Sequence, residues 1–238
     1  GRPPGGGGGG DEKPVLVLGG GVGGGGGGDS PRLASTGAAK SMMVHGAEFF
    51  GEDAEIDVLN DPELGMDAVW FFGDLNYRLD LSRREAETML STVRDIRSVA
   101  RALRRKQRRD KHEGVDAPEL EPVIKQQEKK ARRILEEMQA YDQLGAQRCA
   151  GLAFRGLCEG PIYFEPTFKF DPGSDTYDSS SKQRVPSWTD RILFRRRSVR
   201  GGVKTSVLKY ESLRYAKHSD HRAVVAVFEV RIGEEGDN

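Results

Sequence analysis

The sequence lacks several features that would identify a class of protein at once. Its only cysteines, Cys149 and Cys158, are too few for a disulfide framework and do not form a CxxC metal motif. Reduced thiols in a cytosolic protein are the simpler interpretation. No apolar run approaches the roughly 18 residues of a membrane-spanning helix, and no signal peptide is visible. We therefore expect a cytoplasmic protein whose contact with a membrane, if it has one, is peripheral.

Net charge and the ends of the chain say little about partners. Basic and acidic residues balance at 37 each, so the total charge predicts no polyanionic partner. Residues 1–40 contain two six-glycine runs, and glycine disfavours helix by about 1 kcal/mol per residue. A dinucleotide-binding loop needs a helix after its glycines. We therefore predict a low-complexity linker over 1–40, a poorly patterned segment over 41–66 and a tail over 233–238.

The stretch from Val69 to Arg78 organises the rest of the chain. Four large apolar residues, Val69–Phe72, indicate a strand buried on both faces. In extended chain the side chains of Asp74 and Asn76 point the same way, so they are expected to face one spot. Ionised Asp only accepts hydrogen bonds, whereas Asn also donates, so the pair suits a water and an anionic oxygen. The alternative is an ordinary Asx turn at a strand end.

A helical hairpin is predicted over about 82–145. Ser82 and Glu85 have the spacing of a capping box, and apolar positions then recur with helical spacing in two segments. The first stripe comprises Leu90, Val93, Arg97, Ala100 and Leu103, and the second comprises Ile124, Ala131, Leu135, Met138 and Tyr141–Asp142. Gly114, Pro118 and Pro122 separate the segments. The basic run Arg104–Arg109 is either a solvated helix face, which charge runs usually are, or a site for an anionic membrane or nucleic acid.

Strands and loops dominate beyond residue 150. Apolar runs there predict four strands, at Ile162–Phe164, Arg191–Phe194, Thr205–Tyr210 and Ala223–Val230. Strands separated by a helical hairpin indicate an α+β fold, in which helices cover sheets.

Polar residues stand at two of these strand ends, where a rigid scaffold can hold a reactive group. His221 is not expected to pair with its neighbour Asp220, because adjacent side chains of an extended chain point apart. Asp190 is the candidate partner. An Asp–His pair fixes the imidazole tautomer and favours the charged ring, which can then donate to a phosphoryl oxygen. The alternative is a histidine of a surface loop without a catalytic role.

Taken together, these stretches resemble the inositol polyphosphate 5-phosphatases, within the DNase I-like metal-dependent phosphoesterases. The resemblance runs from about Asp67 to Ile232. It rests on Trp70–Arg78, Phe164–Phe170, Tyr177–Asp178 through Arg184, Pro186–Arg191 and Ser219–Arg222. Nucleases of the same fold share the Asp–x–Asn and Ser–Asp–His motifs, whereas the motifs Pro186–Arg191 and Pro166–Phe170 are specific to the inositol branch.

The resemblance implies a role for each matched residue. Asp74 would orient and deprotonate the attacking water, and Asn76 would hold a phosphoryl oxygen. His221, backed by Asp190, would stabilise charge on the scissile phosphate, and Asp220 would lie close to a Mg²⁺ ion. The cations that match the family's contacts to the inositol 4-phosphate are Lys169, Lys182 and Arg184. The implied substrates are phosphoinositides or soluble inositol phosphates, and no nucleic-acid partner or particular oligomer is implied.

The chain also departs from the family. The family's N-terminal half supplies a metal-binding Glu and Asn and a further His, and these motifs are not found here. Val15–Leu18 is compatible with a strand remnant of that half. The expected fold is therefore a partial four-layered α/β sandwich of the DNase I-like type, with an inserted hairpin. Its expected activity is Mg²⁺-dependent removal of a 5-phosphate, and the alternatives are a catalytically dead phosphoinositide-binding remnant and a nuclease.

Overall fold

The computed structural model describes residues 66–198 and 202–233, together with the backbone of two earlier strands. The strands are β1 (Lys13–Gly19), β2 (Ser41–His45), β3 (Ala68–Asp74), β4 (Leu157–Glu159), β5 (Asp190–Arg195), β6 (Val203–Ser212) and β7 (Val224–Ile232). The helices are α1 (Arg83–His112), α2 (Leu120–Gln139) and α3 (Gln143–Cys149). No helix in the described part of the chain is both long and apolar enough to cross a membrane.

Two sheets face each other. One has the order β1-β7-β6 and is antiparallel throughout. The other has the order β2-β3-β5-β4, in which the β2–β3 pair is parallel and the other pairs are antiparallel. The ring of Phe228 on β7 joins the sheets, since its centroid lies 6.1 Å from that of Trp70 on β3 and 4.9 Å from that of Phe194 on β5. The chain thus has the predicted α+β fold, built on a sandwich of two sheets.

One hydrophobic core joins both sheets to the helices. Alternate residues of β3 serve different sides, so Trp70 and Phe72 enter the large core whereas Val69 and Phe71 enter a smaller cluster behind the sheet. The helical residues of the large core are Ala86, Leu90 and Val93 of α1 and Ala131, Leu135 and Met138 of α2. Ala100 and Ile124 are also buried but lie outside that cluster. The start of α1 and the end of α2 are therefore part of the core, whereas the turns next to the loop that joins the helices lie outside it.

The predicted hairpin agrees closely with the observed helices. The Ser82–Glu85 capping box is present. Helix α2 buries Ile124, Ala131, Leu135 and Met138, as predicted. The prediction for Tyr141 was wrong, because α2 ends at Gln139 and the Tyr141 side chain is 47% exposed. Pro122 does not separate the helices either, since it lies in the first turn of α2, where a missing N–H is tolerated.

The strand predictions beyond residue 150 hold except at Ile162–Phe164, which is not a strand. Side chains donate hydrogen bonds to the carbonyl groups of this segment, whereas in a strand these groups would accept hydrogen bonds from a neighbouring strand. Gln139 donates to the Ile162 carbonyl oxygen, Arg97 to that of Tyr163 and the Trp188 indole to that of Phe164. The short strand β4, which pairs with β5, was not predicted.

The two N-terminal segments differ from their predictions where they are described. Within the predicted linker, Lys13–Gly19 forms β1 and pairs with β7. This strand includes the apolar run Val15–Leu18. Within the predicted unpatterned segment, Ser41–His45 forms β2 beside β3. The remainder of residues 1–65, including both glycine runs, and the tail beyond Gly233 lie outside the described residues.

Candidate active site

The site begins where β3 ends and β5 starts. Asp74 and Asp190 are register partners across this antiparallel pair, and the Leu75 N–H extends the ladder by donating to the Thr189 carbonyl at 2.7 Å. Gly73 has a φ of +149°, which side-chain-bearing residues rarely adopt, so glycine is required just before the acid. Two carboxylates directly opposite each other repel, so this pairing needs a cation nearby.

His221 supplies that cation. Its Nδ1 lies 3.0 Å from Asp190 Oδ2, and its Nε2 lies 3.9 Å from Asp74 Oδ2. Burial lowers the pKa of His221, but the hydrogen bond and charge of Asp190, with the charges of Asp74 and Asp220, outweigh it and raise the pKa above its usual value. The protonated ring donates from both nitrogens. His221 therefore lies between two carboxylates that favour its charged form, and it makes the Asp190 contact that was expected from sequence.

Asp190 is buried and held by hydroxyl groups. The Oγ1 atoms of Thr167 and Thr189 lie 2.6 Å and 3.0 Å from Asp190 Oδ2, and both threonines are fully buried. An ionised carboxylate accepts several hydrogen bonds at once, so both hydroxyls donate to it. Neither threonine was predicted as a site residue. The motifs contain them, but only the folded chain shows that Thr167, 23 residues away, reaches Asp190.

The loop Ser219–Arg222 presents the imidazole. The Arg222 N–H donates to the Thr167 carbonyl at 2.9 Å, and the Phe170 N–H donates to the Asp220 carbonyl at 2.8 Å. The buried Arg222 guanidinium lies 3.9 Å from the centroid of the Phe170 ring. The loop is therefore fixed to the segment 167–170. This segment carries both Thr167, whose hydroxyl donates to Asp190, and the basic residue Lys169.

Asn76 reaches the site by a different geometry from that predicted. Its φ is +58°, so the chain is left-handed there rather than extended. Its N–H donates to Asp74 Oδ1 at 2.9 Å, which is the Asx turn that was the alternative interpretation. Arg78 donates to the Asn76 Oδ1 atom. Because that hydrogen bond orients the carboxamide, its Nδ2 group is left to donate to a ligand.

Two basic residues, Arg78 and Lys169, contact groups of this site, and two more, Lys182 and Arg184, lie on the loop that follows Asp178. Lys169 Nζ lies 3.6 Å from Asp220 Oδ2. Lys182 and Arg184 are exposed, and neither forms an ion pair with a carboxylate of the described residues. Their loop is held by Asp178, which accepts from the Arg184 N–H at 2.7 Å and from Ser180. Arg78 was not predicted as a site residue. Its guanidinium lies 4.5 Å from the Phe168 ring centroid.

The ring of Phe168 connects that cation to the imidazole, since its centroid lies 4.5 Å from the centroid of His221. The ring therefore lies between the imidazole of His221 and the guanidinium of Arg78. Unlike a tyrosine, Phe168 offers no hydroxyl to a bound phosphate.

The residues present do not by themselves fit a Mg²⁺ ion. Magnesium takes six oxygen ligands, several of them waters, and is usually held by carboxylates. Among residues 66–198 and 202–233 there is no cluster of three metal-binding side chains. Asp220, the predicted metal neighbour, already pairs with Lys169 and accepts from the Ser219 hydroxyl at 3.3 Å. The role assigned to Asp220 stays a prediction.

The chain is similar to several known proteins. Residues 119–227 match the endonuclease/exonuclease/phosphatase family 2. Mouse phosphatidylinositol polyphosphate 5-phosphatase type IV is 36% identical over 172 residues, which cover 72% of this chain and 20% of the mouse protein. Inositol-1,4,5-trisphosphate 5-phosphatase 1 of Schizosaccharomyces pombe is 46% identical over 92 residues, which cover 39% of this chain and 8% of that protein.

Two solved structures are also similar. The 5-phosphatase domain of a synaptojanin, in complex with inositol (1,4)-bisphosphate and a calcium ion, is 31% identical, with a TM-score of 0.46 over 70% of this chain and 36% of that one. A Cimex nitrophorin in its ferrous NO complex is 26% identical, with a TM-score of 0.50 over 76% of this chain and 47% of that one. This chain spans about a fifth or less of the curated relatives' length. By its family match and its relatives, the chain belongs to the inositol polyphosphate 5-phosphatase family.

Proposed function

We propose that this chain carries the catalytic groups of an inositol polyphosphate 5-phosphatase, which hydrolyses the 5-phosphate of phosphoinositides or soluble inositol phosphates. The observation that carries the proposal is the position of His221, whose two ring nitrogens face Asp190 and Asp74. A buried carboxylate that holds a charged imidazole beside an exposed carboxylate suits attack of water on a phosphate. The names of the relatives support the choice of substrate class.

Each of these residues has a separate role in the proposed reaction. Asp74 accepts a proton from the attacking water as the new oxygen–phosphorus bond forms. His221 and the Nδ2 group of Asn76 donate to phosphoryl oxygens. The bond to the inositol 5-oxygen breaks, that oxygen takes a proton from water to give the alcohol, and Asp74 returns the proton that it accepted to the solvent as free phosphate leaves. Preorganised donors of this kind stabilise charge that develops in the transition state. Lys169, Lys182 and Arg184 would bind the neighbouring 4-phosphate.

Release of phosphate from phosphatidylinositol 4,5-bisphosphate and from inositol 1,4,5-trisphosphate tests the proposal. His221→Gln should lower turnover by about 10²–10⁴-fold. The matched control is His218→Gln, because His218 is an exposed histidine three residues earlier in the same loop. Equal activity of the two variants would rule out the assigned role of His221.

Catalytically inactive phosphoinositide binding is a second candidate function. It is favoured by the lack of a three-ligand metal cluster among the described residues. Substrate binding that depends on Lys169 and Arg184, with no turnover in any divalent cation, would support it. Cleavage of DNA or RNA with no action on inositol phosphates would instead support a nuclease.

We also propose Mg²⁺ as the natural cation and a cytoplasmic location with peripheral membrane contact. Ligands for the ion would have to include groups beyond the described residues. Chelation followed by addition of Mg²⁺ or Ca²⁺ tests the choice of cation. The two free cysteines, one of them exposed, support a reducing location, and fractionation of cells that express the chain tests it.

A further inference from the structure

A second basic site lies on the hairpin, away from the residues of the candidate active site. A cavity of about 240 Å³ opens between α1, α2 and the segment that carries Tyr163. Its charged lining consists of Arg97, Arg101, Arg104, Arg132 and Glu128. Four guanidinium groups thus face one carboxylate, in a chain whose formal net charge is zero.

The one carboxylate does not neutralise the cavity. Glu128 is already paired with Arg104 at 2.7 Å. Arg101 and Arg132 form no ion pair with any carboxylate in the described part of the chain. Like charges held this close repel one another, so an anion that bridges them is stabilised on binding. The cavity therefore has an excess of donors that no protein group satisfies.

Two of the guanidinium groups are held in place before any ligand arrives. Arg97 Nη1 lies 3.4 Å from the buried Glu165, and Arg97 Nη2 donates to the Tyr163 carbonyl at 2.5 Å. The Arg132 guanidinium lies 4.5 Å from the centroid of the Tyr163 ring. Fixed side chains lose less entropy on binding than mobile ones do. These contacts distinguish the cavity from a solvated row of charges.

A larger cavity of about 520 Å³ continues the site along α2. It shares Glu128, Arg132 and Tyr163 with the first cavity and adds three basic residues and one acid, namely Lys125, Lys129, Arg133 and Glu136. The first cavity is smaller than the roughly 300–1,000 Å³ of sites for whole organic ligands, so it suits a single phosphate group. The second can hold a further phosphate of the same ligand.

We propose that this cleft, defined as the two cavities lined by α1, α2 and Tyr163, binds a ligand with more than one phosphate group. Arginine is the side chain best suited to phosphate, since its planar donors match two phosphate oxygens at once. Nucleic acid fits less well. Single strands stack their bases on aromatic rings, and the one ring that lines either cavity is already covered by Arg132.

The test compares two double variants with the same change in charge. Arg101→Glu/Arg132→Glu reverses two lining residues, whereas Lys106→Glu/Lys130→Glu reverses two exposed lysines of the same helices that line neither cavity. The probes are inorganic tripolyphosphate in solution and phosphatidylcholine vesicles that contain phosphatidylinositol 4,5-bisphosphate. We expect the lining variant to bind at least one probe about tenfold more weakly, and the control to bind as the unchanged chain does.

Each outcome bears on the proposal. Loss for both probes identifies free phosphate groups as the ligand chemistry, and loss for vesicles alone identifies a lipid headgroup. The proposal would be overturned if the control variant lost as much binding as the lining variant, or if the lining variant lost none. It would also be overturned if the lining variant lost as much binding to phosphatidylserine vesicles. Binding of a DNA duplex that depends on Arg101 and Arg132, with no binding of either probe, would overturn the proposal as well. Melting curves of both variants exclude misfolding, and Arg101→Gln/Arg132→Gln repeats the test with a milder change.

This site does not rest on the proposed phosphatase activity. Phosphate release from a soluble substrate depends on His221, whereas binding in the cleft depends on Arg101 and Arg132. The His221→Gln variant should therefore keep full binding in the cleft, so failure of one proposal leaves the other standing.

Discussion

Thr167 Oγ1 lies 2.6 Å from Asp190 Oδ2, the same oxygen that lies 3.0 Å from His221 Nδ1. The hydroxyl and the imidazole thus share one acceptor atom in a buried setting. We expect Thr167→Val to destabilise the chain by about 1–3 kcal/mol, because a buried acceptor loses a donor. Thr167→Ser keeps the hydroxyl and should retain most of the stability. Urea unfolding measures both, and equal losses would show that packing rather than the hydrogen bond matters.

The pKa of His221 should lie above the usual value of about 6.5. Burial lowers it, but Asp190, Asp74 and Asp220 raise it by more. Since the folded pKa exceeds the unfolded one, the stabilisation is complete below about pH 6.5 and is lost as pH rises through the folded value. NMR titration in metal-free buffer measures it, with His218→Gln to assign the resonances. A His221 pKa that does not fall in Asp190→Asn would contradict the assigned partner.

Asp178→Asn should loosen the loop that carries Lys182 and Arg184. Hydrogen bonds from the Ser180 hydroxyl and the Arg184 backbone lower the pKa of Asp178. Its stabilisation is therefore present above the unfolded value of about 3.9 and is lost as pH falls through the folded value. Urea unfolding at several pH values should show a deficit at pH 7 that narrows in acid. The exposed-turn variant Asp116→Asn should show no such pattern.

Arg191→Met should be among the most damaging substitutions at a residue with no proposed role in the reaction. The buried Arg191 guanidinium contacts Glu159 at 2.7 and 2.8 Å and Asp142 at 2.8 Å. Its removal leaves the buried Asp142 carboxylate without a cation and Glu159 with Arg148 alone, which costs about 3–5 kcal/mol. Arg104→Met breaks an exposed pair with Glu128 and should cost no more than about 1 kcal/mol. Similar melting temperatures for the two variants would contradict this difference.

Much of the fold follows from local patterns in the sequence. The capping box, the apolar stripe of α2 and the strands β3, β5, β6 and β7 were all predicted, because each depends on residues close together in the chain. Ile162–Phe164 shows the limit. Its alternation of buried and exposed residues is that of a strand, but side chains such as Gln139 and Trp188 occupy its carbonyls. Which groups satisfy a backbone segment is decided by the tertiary structure.

The sequence predicted the residues of the site better than it predicted their geometry. The rule that neighbours in extended chain point apart served only to set Asp220 aside, and Asp190 was then the candidate partner that lies against His221. The same rule fails at Asn76, whose positive φ closes an Asx turn. Thr167 and Arg78 were missed because their contacts to Asp190 and Phe168 join residues far apart in sequence. The roles of the individual residues stay predictions until the variants are assayed.

The end of the hairpin near the sheets and the end near its connecting loop differ in burial. Ala86, Leu90, Ala131 and Leu135 pack with the sheets, whereas the loop between His112 and Leu120 touches none of the large core. Shortening the helices from that loop would leave the sandwich intact, and deleting them from Ser82 onward would open its interior to water. Packing against the sheets therefore constrains the inner turns of this arm but not the outer turns, whose charged residues line the proposed cleft.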